Sequence, residues 1–373
     1  MLKPIQNISL AMIGLLLPVS FLFAGCVGDK NAAEKDSGLS DGDGMLDDSI
    51  TSADSQPADE NSGSDSSHYE DEDSAPPANP SAGCGSAGGV YGPGTTEGAL
   101  FHGGRRRTFL VHVPPQYQQT RPAPLVILLH GGNGSGAKME QMTGFDTVAD
   151  REGLVAVYPD GTGPLKTWNG GICCGYAVEN NVDDVGFIMA LLDHLENTLC
   201  LDCRRVFVTG ASNGAFMAHR LGCEAPNRIA AIAPVAGQEG SPTCSPVRPV
   251  AVMQIHGTLD AHAPWNGGEG CGFAGIVFPS VPDTMEGWRM RNSCQATVHR
   301  LLEEGDGECD SYDDCAPGGE TVLCAIVGGG HSWPGGEAPP ADQTERCPED
   351  GPHCTNFHAS EQIWKFFSRQ ALP

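Results

Sequence analysis

One serine stands in a pattern that is typical of activated hydroxyl groups. Ser212 is the centre of a Gly-x-Ser-x-Gly sequence that runs from Gly210 to Gly214. Four β-favouring residues precede it, and residues 216–221 follow with helical spacing. The pattern predicts a strand, a tight turn and a helix, which together expose the serine at the carboxyl edge of a sheet. Free N–H groups at the start of that helix favour negative charge, so a nucleophile is favoured over an ordinary turn.

A serine hydroxyl is a poor nucleophile at neutral pH, so it needs a base and an acid that orients the base. On this type of sheet the chain order is Ser, then Asp or Glu, then His. Asp260 is the candidate acid, because it follows the apolar segment 252–255 and a short turn. The alternative is a turn aspartate that bonds its own backbone. Its position between the serine and a suitable histidine favours catalysis.

His331 is the candidate base. It follows the apolar segment 321–327 and three glycines, which let the chain bend so that an imidazole can reach Ser212. The chain has 12 histidines, so most of them must be structural or lie at the surface. His353 and His358 also come after Asp260, but neither follows the end of a clear strand. His331 is therefore predicted as the general base.

Two backbone N–H groups are expected to stabilise the oxyanion. Asn213, the residue after the serine, supplies the first. The second is expected from Gly132 or Asn133 in the loop 130–134, which follows a buried apolar run. His130, at the start of that loop, is expected to pack structurally. Chemistry of this kind requires no metal ion and no organic cofactor.

The elements that position these residues alternate between strand and helix. This order predicts an α/β fold with a doubly wound, mostly parallel sheet and ligands at its carboxyl edge. The predicted strands cover residues 109–113, 125–129, 153–158, 206–209, 229–235, 250–255 and 322–327, and the predicted helices cover residues 137–149, 183–199, 216–221 and 359–368. Asp183 and Asp184 could be paired catalytic carboxylates, but a role in starting a helix and fixing a loop is favoured.

Four aromatic residues stand beside the predicted active loops. They are Trp168, Tyr176, Trp265 and Trp333. Each could stack on an aromatic acyl group of a substrate, or could simply pack in the core. The sequence predicts them as substrate-binding residues without separating these two roles.

The N-terminal 83 residues are predicted to lie outside the folded domain. Residues 1–25 have the short apolar run of an export signal, and they end before Cys26 in a sequence that resembles the lipobox of bacterial lipoproteins. Cys26 is thus the predicted lipidation site. Residues 26–83 read as an acidic, disordered linker, with 15 acidic side chains and two lysines. The protein is therefore expected to contact a membrane only through the lipid anchor, at the outer membrane or the cell surface.

Charge and cysteine content narrow the possible classes of protein. The net charge of −26 argues against nucleic acid or an anionic membrane surface as a partner. The 15 cysteines indicate an oxidising compartment, and 14 remain for disulfides if Cys26 is acylated. Cys173 and Cys174 are expected to have different partners, one of them Cys223. Cys200 and Cys203 have redox spacing, but structural pairing is favoured.

Residues 84–373 resemble the extracellular polyhydroxybutyrate depolymerase and feruloyl esterase family, a group of α/β-hydrolase esterases. The resemblance rests on segments spread over the domain, namely residues 129–132, 168–175, 182–187, 210–214, 232–237, 256–260 and 329–336. It implies Ser212, Asp260 and His331 as the catalytic triad. The cysteine-rich segments 307–315 and 346–354 are additions to that pattern that could form rims over the site.

These observations predict a serine carboxylic-ester hydrolase that works through an acyl-enzyme. The expected substrates are feruloyl or acetyl esters of polysaccharide, or polyhydroxybutyrate-type esters. A different class also fits, an inactive esterase-like lipoprotein that binds glycans. A third alternative is thiol exchange through Cys200 and Cys203, which requires free thiols.

Overall fold

A computed structural model describes residues 78–86, 90–272, 274–339 and 347–373. The predicted signal peptide, Cys26 and most of the predicted linker lie outside the described residues. Within the described residues, no helix is both long and apolar enough to cross a membrane.

Twelve strands and seven helices are described. The strands are β1 Gly94–His102, β2 Arg105–Val113, β3 Ala123–Leu129, β4 Val155–Pro159, β5 Leu201–Ala211, β6 Ala231–Val235, β7 Ala251–Gly257, β8 Gly268–Glu269, β9 Val277–Phe278, β10 Val298–Glu304, β11 Gly307–Tyr312 and β12 Thr321–Ile326. The helices are α1 Gly136–Thr143, α2 Phe145–Glu152, α3 Gly175–Glu179, α4 Asp184–Thr198, α5 Asn213–Glu224, α6 Val281–Arg291 and α7 Ala359–Ser368.

Ten of the strands form one sheet in the order β1-β2-β4-β3-β5-β6-β7-β12-β11-β10. The six central strands, from β4 to β12, are mutually parallel, and the two strands at each edge are antiparallel. The carboxyl ends of β5, β7 and β12 therefore meet at one edge of the sheet, which is where the three predicted catalytic residues follow. The prediction of a doubly wound, mostly parallel sheet is confirmed.

Both faces of the sheet are covered, as the continuous apolar run in β3 predicts. All seven residues of β3 are buried. Leu125, Ile127 and Leu129 pack on one face with residues of α4, α5 and α6, whereas Val126 and Leu128 pack on the other face with residues of α1, α2 and α7. Both faces of β3 therefore lie in the core, and the loop that is predicted to form the oxyanion hole begins where the strand ends.

Several features of the fold differ from the sequence prediction, which did not include helices α3 and α6 or the short strands β8 and β9. The predicted helix 137–149 is two helices, because Gly144 adopts a left-handed conformation with φ 55° between them. Strands β1, β10 and β11, at the two ends of the sheet, are not among the predicted strands, since few of their residues are buried and their apolar pattern is weak. The folded part also begins before residue 84: Ser81 is buried and its hydroxyl donates to the Leu199 carbonyl at 2.7 Å.

The disulfide prediction is correct in kind and wrong in detail. Six disulfides join described cysteines: Cys84–Cys200, Cys173–Cys174, Cys223–Cys244, Cys271–Cys347, Cys294–Cys315 and Cys309–Cys324. Cys173 and Cys174 pair with each other, so the expected link to Cys223 is wrong. Cys203 is a free thiol, so the expected full pairing of 14 cysteines is also wrong. Sequence spacing does not determine connectivity, because pairing depends on which segments the fold brings together.

The free thiol does not favour disulfide exchange. Cys200, its neighbour in the Cys-x-x-Cys sequence, is bonded to Cys84 instead. Burial, together with the nearby carboxylate of Glu196, raises the pKa of the Cys203 thiol to about 11. A thiol must ionise to exchange, so this environment suppresses the reactivity that the thiol-exchange alternative requires.

Candidate active site

Ser212 lies in the sharp turn between β5 and α5. Its backbone has φ 54° and ψ −120°, a region that residues with a side chain rarely adopt. The Ser212 N–H donates to the Val235 carbonyl on the adjacent strand at 2.9 Å, which helps to hold the turn. Strained backbone of this kind persists where the surrounding structure over-determines it, and such residues cluster at active sites.

The two glycines of the motif are required by close approach of the chain. A Cβ on Gly210 would lie 2.5 Å from the Gly214 carbonyl oxygen, and one on Gly214 would overlap the backbone carbonyls of Leu129 and His130. The turn can therefore pack against β3 and the following loop only with glycine at both positions. These contacts place Ser212 beside the loop expected to form the oxyanion hole.

Asp260 and His331 are joined by a hydrogen bond. The imidazole Nδ1 lies 2.8 Å from Asp260 Oδ2, and the carboxylate is buried. The two residues meet because they follow β7 and β12, which are parallel neighbours whose terminal loops also pair through Leu259 and Gly329. With Nδ1 bound to the acid, Nε2 is the nitrogen left to accept a proton.

The charge on this pair follows from its surroundings. Burial alone would raise the pKa of Asp260, but the imidazoles of His331 and His256 outweigh it and hold that pKa well below its usual range. Burial alone would lower the pKa of His331, but the charges of Asp260 and Asp350 raise it overall. A carboxylate that stays ionised beside an imidazole is what stabilises an imidazolium during proton transfer.

Asp350 was not identified in the sequence analysis. Its carboxylate accepts from the backbone N–H of His331 at 3.0 Å and from that of Ala261 at 2.8 Å. It thus ties together the two loops that carry His331 and Asp260, the predicted base and acid. Asp350 lies in the predicted cysteine-rich rim, which the Cys271–Cys347 disulfide anchors near the site. The other predicted rim, residues 307–315, instead includes β11, the second strand from the edge of the sheet.

A substitution at Asp350 is expected to change the pH dependence of catalysis. His331 acts as a base only when it is neutral, so kcat/KM falls as the pH drops through its pKa. Asp350→Asn keeps an oxygen acceptor for the two N–H groups but removes the charge that raises this pKa. The acid limb of the kcat/KM profile should therefore move to lower pH. An unchanged limb, measured on a variant with wild-type melting temperature, would contradict the assigned base.

Ser212 and His331 both line two cavities that meet at the active site. The smaller has a volume of about 250 Å³ and the larger of about 520 Å³, and Gly132 and Asn133 also line both. The described contacts include no direct hydrogen bond between the Ser212 hydroxyl and the His331 imidazole. Such hydrogen bonds are often long in the absence of substrate and tighten in the complex.

The loop after β3 is held by its first residue. His130 is buried, with Nδ1 2.7 Å from the Gly131 carbonyl and Nε2 accepting from the Gly161 N–H at 2.9 Å. Burial lowers its pKa to about 4, so it is neutral at physiological pH. His130 is therefore structural, as predicted. It stabilises the bend that brings Gly131 against Ser212, where an added Cβ would lie 3.2 Å from the Ser212 Cβ.

The structure separates the two candidates for the second oxyanion donor. The Asn133 N–H donates to the Leu165 carbonyl at 2.7 Å, so it is already engaged and the expectation for Asn133 is wrong. Gly132 remains the candidate, beside the N–H of Asn213. The Asn213 side chain is fixed by a pair of hydrogen bonds to the Trp168 backbone, at 2.7 Å from its N–H and 3.0 Å to its carbonyl. This pairing orients the start of α5.

The role of Gly132 can be tested by removing its N–H. Gly132→Pro deletes the donor, and the preceding glycine relaxes the usual restriction before proline. Loss of one oxyanion donor is expected to lower kcat by roughly 100- to 1,000-fold. Gly132→Ala is the matched control: an added Cβ meets only the Thr167 methyl group at 4.0 Å, so activity should stay close to wild type. Equal losses in both variants would exclude the N–H as the cause.

Two of the four predicted substrate-binding aromatics do not line the cavities. Trp168 is completely buried, stacks on Phe187, and donates through Nε1 to the His130 carbonyl at 2.9 Å. Trp265 packs edge-on against His256 and lines neither of these cavities. The prediction is wrong for Trp168, whose buried indole supports the loop after β3, and it stays a prediction for Trp265. Tyr176 lines the larger cavity and Trp333 the smaller one.

The paired carboxylates at residues 183 and 184 are structural, as favoured. Asp183 caps α4 by accepting from the Gly186 N–H at 2.9 Å. Asp184 is fully buried, accepts from Arg107 at 2.7 Å, and accepts from the Asn169 N–H at 2.8 Å. These contacts fix the start of α4 and the loop that carries Trp168.

Comparison with known proteins places the chain among esterases. The profile described as Esterase PHB depolymerase matches residues 108–263. A feruloyl esterase B of Piromyces equi is 29% identical over 235 residues, which are 61% of this chain but only 42% of that longer protein. A putative esterase NocK of Nocardia uniformis is 30% identical over 66% of this chain and 76% of its own length. A feruloyl esterase D of Neurospora crassa is 28% identical over 78% of this chain and 91% of its own length.

Among solved structures, the acetyl xylan esterase of Aspergillus awamori superposes with a TM-score of 0.51. It covers 74% of this chain and 99% of its own, at 13% identity, so it supports the fold alone. The fold is that of the α/β-hydrolase esterases. The chain belongs to the esterase PHB depolymerase family, which places it among the carboxylic ester hydrolases.

Proposed function

We propose that this protein is a serine esterase in which Ser212 attacks the ester carbonyl, His331 transfers the proton, and Asp260 orients the histidine. The N–H groups of Asn213 and Gly132 hold the oxyanion. The observation that carries the proposal is the 2.8 Å hydrogen bond between His331 and the buried Asp260, at a cavity that Ser212 also lines. Collapse of the tetrahedral intermediate leaves an acyl-Ser212 ester, and His331 gives its proton to the departing alcohol. Water then releases the acid by the same route.

The two cavities favour an ester with a substantial group on each side of the carbonyl. The smaller cavity is lined mainly by apolar atoms from Met139, Met142 and Trp333, which suit a compact, flat acyl group. The larger cavity is also lined mainly by apolar atoms, but it has the room for a sugar, and Tyr176 and Glu179 offer hydrogen bonds to the hydroxyl groups of a polysaccharide. The relatives named as feruloyl and acetyl xylan esterases act on such esters, and the proposed substrates are feruloyl or acetyl esters of polysaccharide. Polyhydroxybutyrate-type esters are the alternative.

The experiment compares methyl ferulate, p-nitrophenyl acetate and hydroxybutyrate oligomers on the wild-type protein. Met142→Trp, which fills the smaller cavity, should lower kcat/KM for methyl ferulate about tenfold or more and leave p-nitrophenyl acetate nearly unchanged. Ala274→Trp, which fills the larger cavity, is the matched control and should spare both small esters. Faster turnover of hydroxybutyrate oligomers than of methyl ferulate would favour the polyester alternative.

An inactive glycan-binding protein remains the contrasting proposal, and a fluorophosphonate probe distinguishes it. An esterase is labelled at Ser212, whereas a binding module is not.

We also propose export and lipid anchoring at Cys26, at the outer membrane or cell surface. Cys26→Ser should release the protein into the soluble fraction, and continued membrane attachment of this variant would contradict lipidation.

A further inference from the structure

One face of β7 changes from apolar to polar along its length. Val252 packs in the core beneath α6, but Gln254 and His256, on the same face, are polar and no more than 1% exposed. Burying an amide and an imidazole in the middle of a sheet is costly unless each polar atom is paired. In this protein they are paired, in a chain of hydrogen bonds that leads toward Asp260.

The far end of this chain is an indole that can only donate a hydrogen bond. Trp288 Nε1 donates to His219 Nδ1 at 3.0 Å, and His219 Nε2 lies 2.9 Å from Gln254 Oε1. Because Nδ1 accepts, Nε2 must carry the proton and donate to the amide oxygen. Burial lowers the pKa of His219 to about 3, so it stays neutral. The tautomer of His219 is therefore fixed.

The near end reaches the catalytic carboxylate. Gln254 Nε2 donates to His256 Nδ1 at 3.1 Å and to the Gly237 carbonyl at 3.1 Å. His256 must then carry its proton on Nε2, which lies 2.8 Å from the Ala263 carbonyl and 3.3 Å from Asp260 Oδ2. The Ala263 N–H donates to the other oxygen, Asp260 Oδ1, at 2.7 Å. Along this series of hydrogen bonds each N–H is directed toward the next residue, and the last one, His256 Nε2–H, donates to the Ala263 carbonyl with Asp260 Oδ2 beside it at 3.3 Å.

We propose that this chain of Trp288, His219, Gln254 and His256 fixes the orientation of Asp260, with His256 as a positioning residue for the triad. The inference rests on the proposed function, since it assigns the chain a task in that reaction. A purely structural role would need no such directionality, because well-packed apolar residues would fill the same space at least as stably. A polar series that ends at the Ala263 backbone, which itself donates to Asp260 Oδ1, and beside Asp260 Oδ2 instead restricts the rotation of that carboxylate while His331 gains and loses its proton.

The test is a double-mutant cycle between His256 and Asp260. His256→Phe keeps a ring but removes both nitrogens, and it should lower kcat about 10- to 100-fold with KM changed less than about threefold. His256→Gln retains a donor and an acceptor and should recover part of the loss. In an Asp260→Ala background, His256→Phe should change kcat by less than about twofold, because its effect passes through the missing carboxylate.

Equal losses from His256→Phe in the two backgrounds would overturn the proposal, as would wild-type kcat in His256→Phe. If His256→Phe does not fold, Gln254→Met breaks the chain one step further away at similar volume, and the same cycle applies with the same contradicting outcomes. Full activity of Asp260→Ala itself would instead contradict the proposed function. The two failures are thus distinguishable.

Discussion

Ser212→Ala is expected to reduce kcat for p-nitrophenyl acetate by about a million-fold, while leaving the fold and the binding of substrate nearly intact. The magnitude follows from losing the covalent path, since only binding and the oxyanion hole then remain to accelerate attack by water. The side chain is small, and the backbone of the turn is held independently by the hydrogen bond from Ser212 N–H to Val235 and by the packing of Gly210 and Gly214. The melting temperature should therefore change little. Stopped assays at high enzyme concentration measure the residual rate.

A second serine at the same cavity provides the matched control. Ser332 lines the smaller cavity beside His331, but the proposed mechanism gives its hydroxyl no role. Ser332→Ala should retain kcat within a few-fold of wild type. A large loss in Ser332→Ala together with substantial activity in Ser212→Ala would reassign the nucleophile.

Asp260→Asn is expected to lower kcat about ten-thousand-fold at neutral pH. The amide is nearly the same size, but its NH₂ group can donate to His331 Nδ1. The imidazole then carries its proton on Nε2, which is the wrong tautomer for accepting the proton of Ser212. The substitution also removes the buried charge that stabilises the imidazolium. The loss is measured as kcat of the purified variant, after its melting temperature has been shown to match that of the wild type.

Non-additivity is the control for this second prediction. If Ser212 and Asp260 act as one unit, Asp260→Asn should cost nothing further in a Ser212→Ala background. A tenfold or larger additional loss in the double variant would show that Asp260 acts elsewhere, for example on substrate binding. The comparison separates the catalytic role from the structural one that its contact with the Ala263 N–H also provides.

Much of the core architecture follows directly from the sequence. Continuous apolar runs such as Leu125–Leu129 can be buried on both faces only in the middle of a covered sheet, and β3 lies there. Ser212, Asp260 and His331 are predicted as a triad because each follows a strand of this sheet, and parallel strands bring their carboxyl ends to one edge. The long predicted helix 183–199 also forms with almost those bounds, since its apolar stripe and Asp183 cap agree.

Other features depend on tertiary contacts that no local pattern encodes. Asp350 is part of the site because a disulfide-anchored loop brings it to the His331 backbone, and nothing near it in the sequence indicates this. Trp168 resembles a substrate-binding aromatic in sequence, but the fold buries it behind the oxyanion loop. One sequence pattern was available and was not used in the prediction: Gln254 and His256 are polar residues at alternate positions of an otherwise apolar strand.

Trapping the acyl-enzyme tests the central claim most directly. Reaction of the wild-type protein with p-nitrophenyl acetate at low temperature, quenched with acid during the burst and digested, should give a peptide that carries one acetyl group on Ser212. The adduct should be absent from Ser212→Ala. Hydrolysis that proceeds with no burst and no adduct, or an adduct on another residue that survives in Ser212→Ala, would contradict the account.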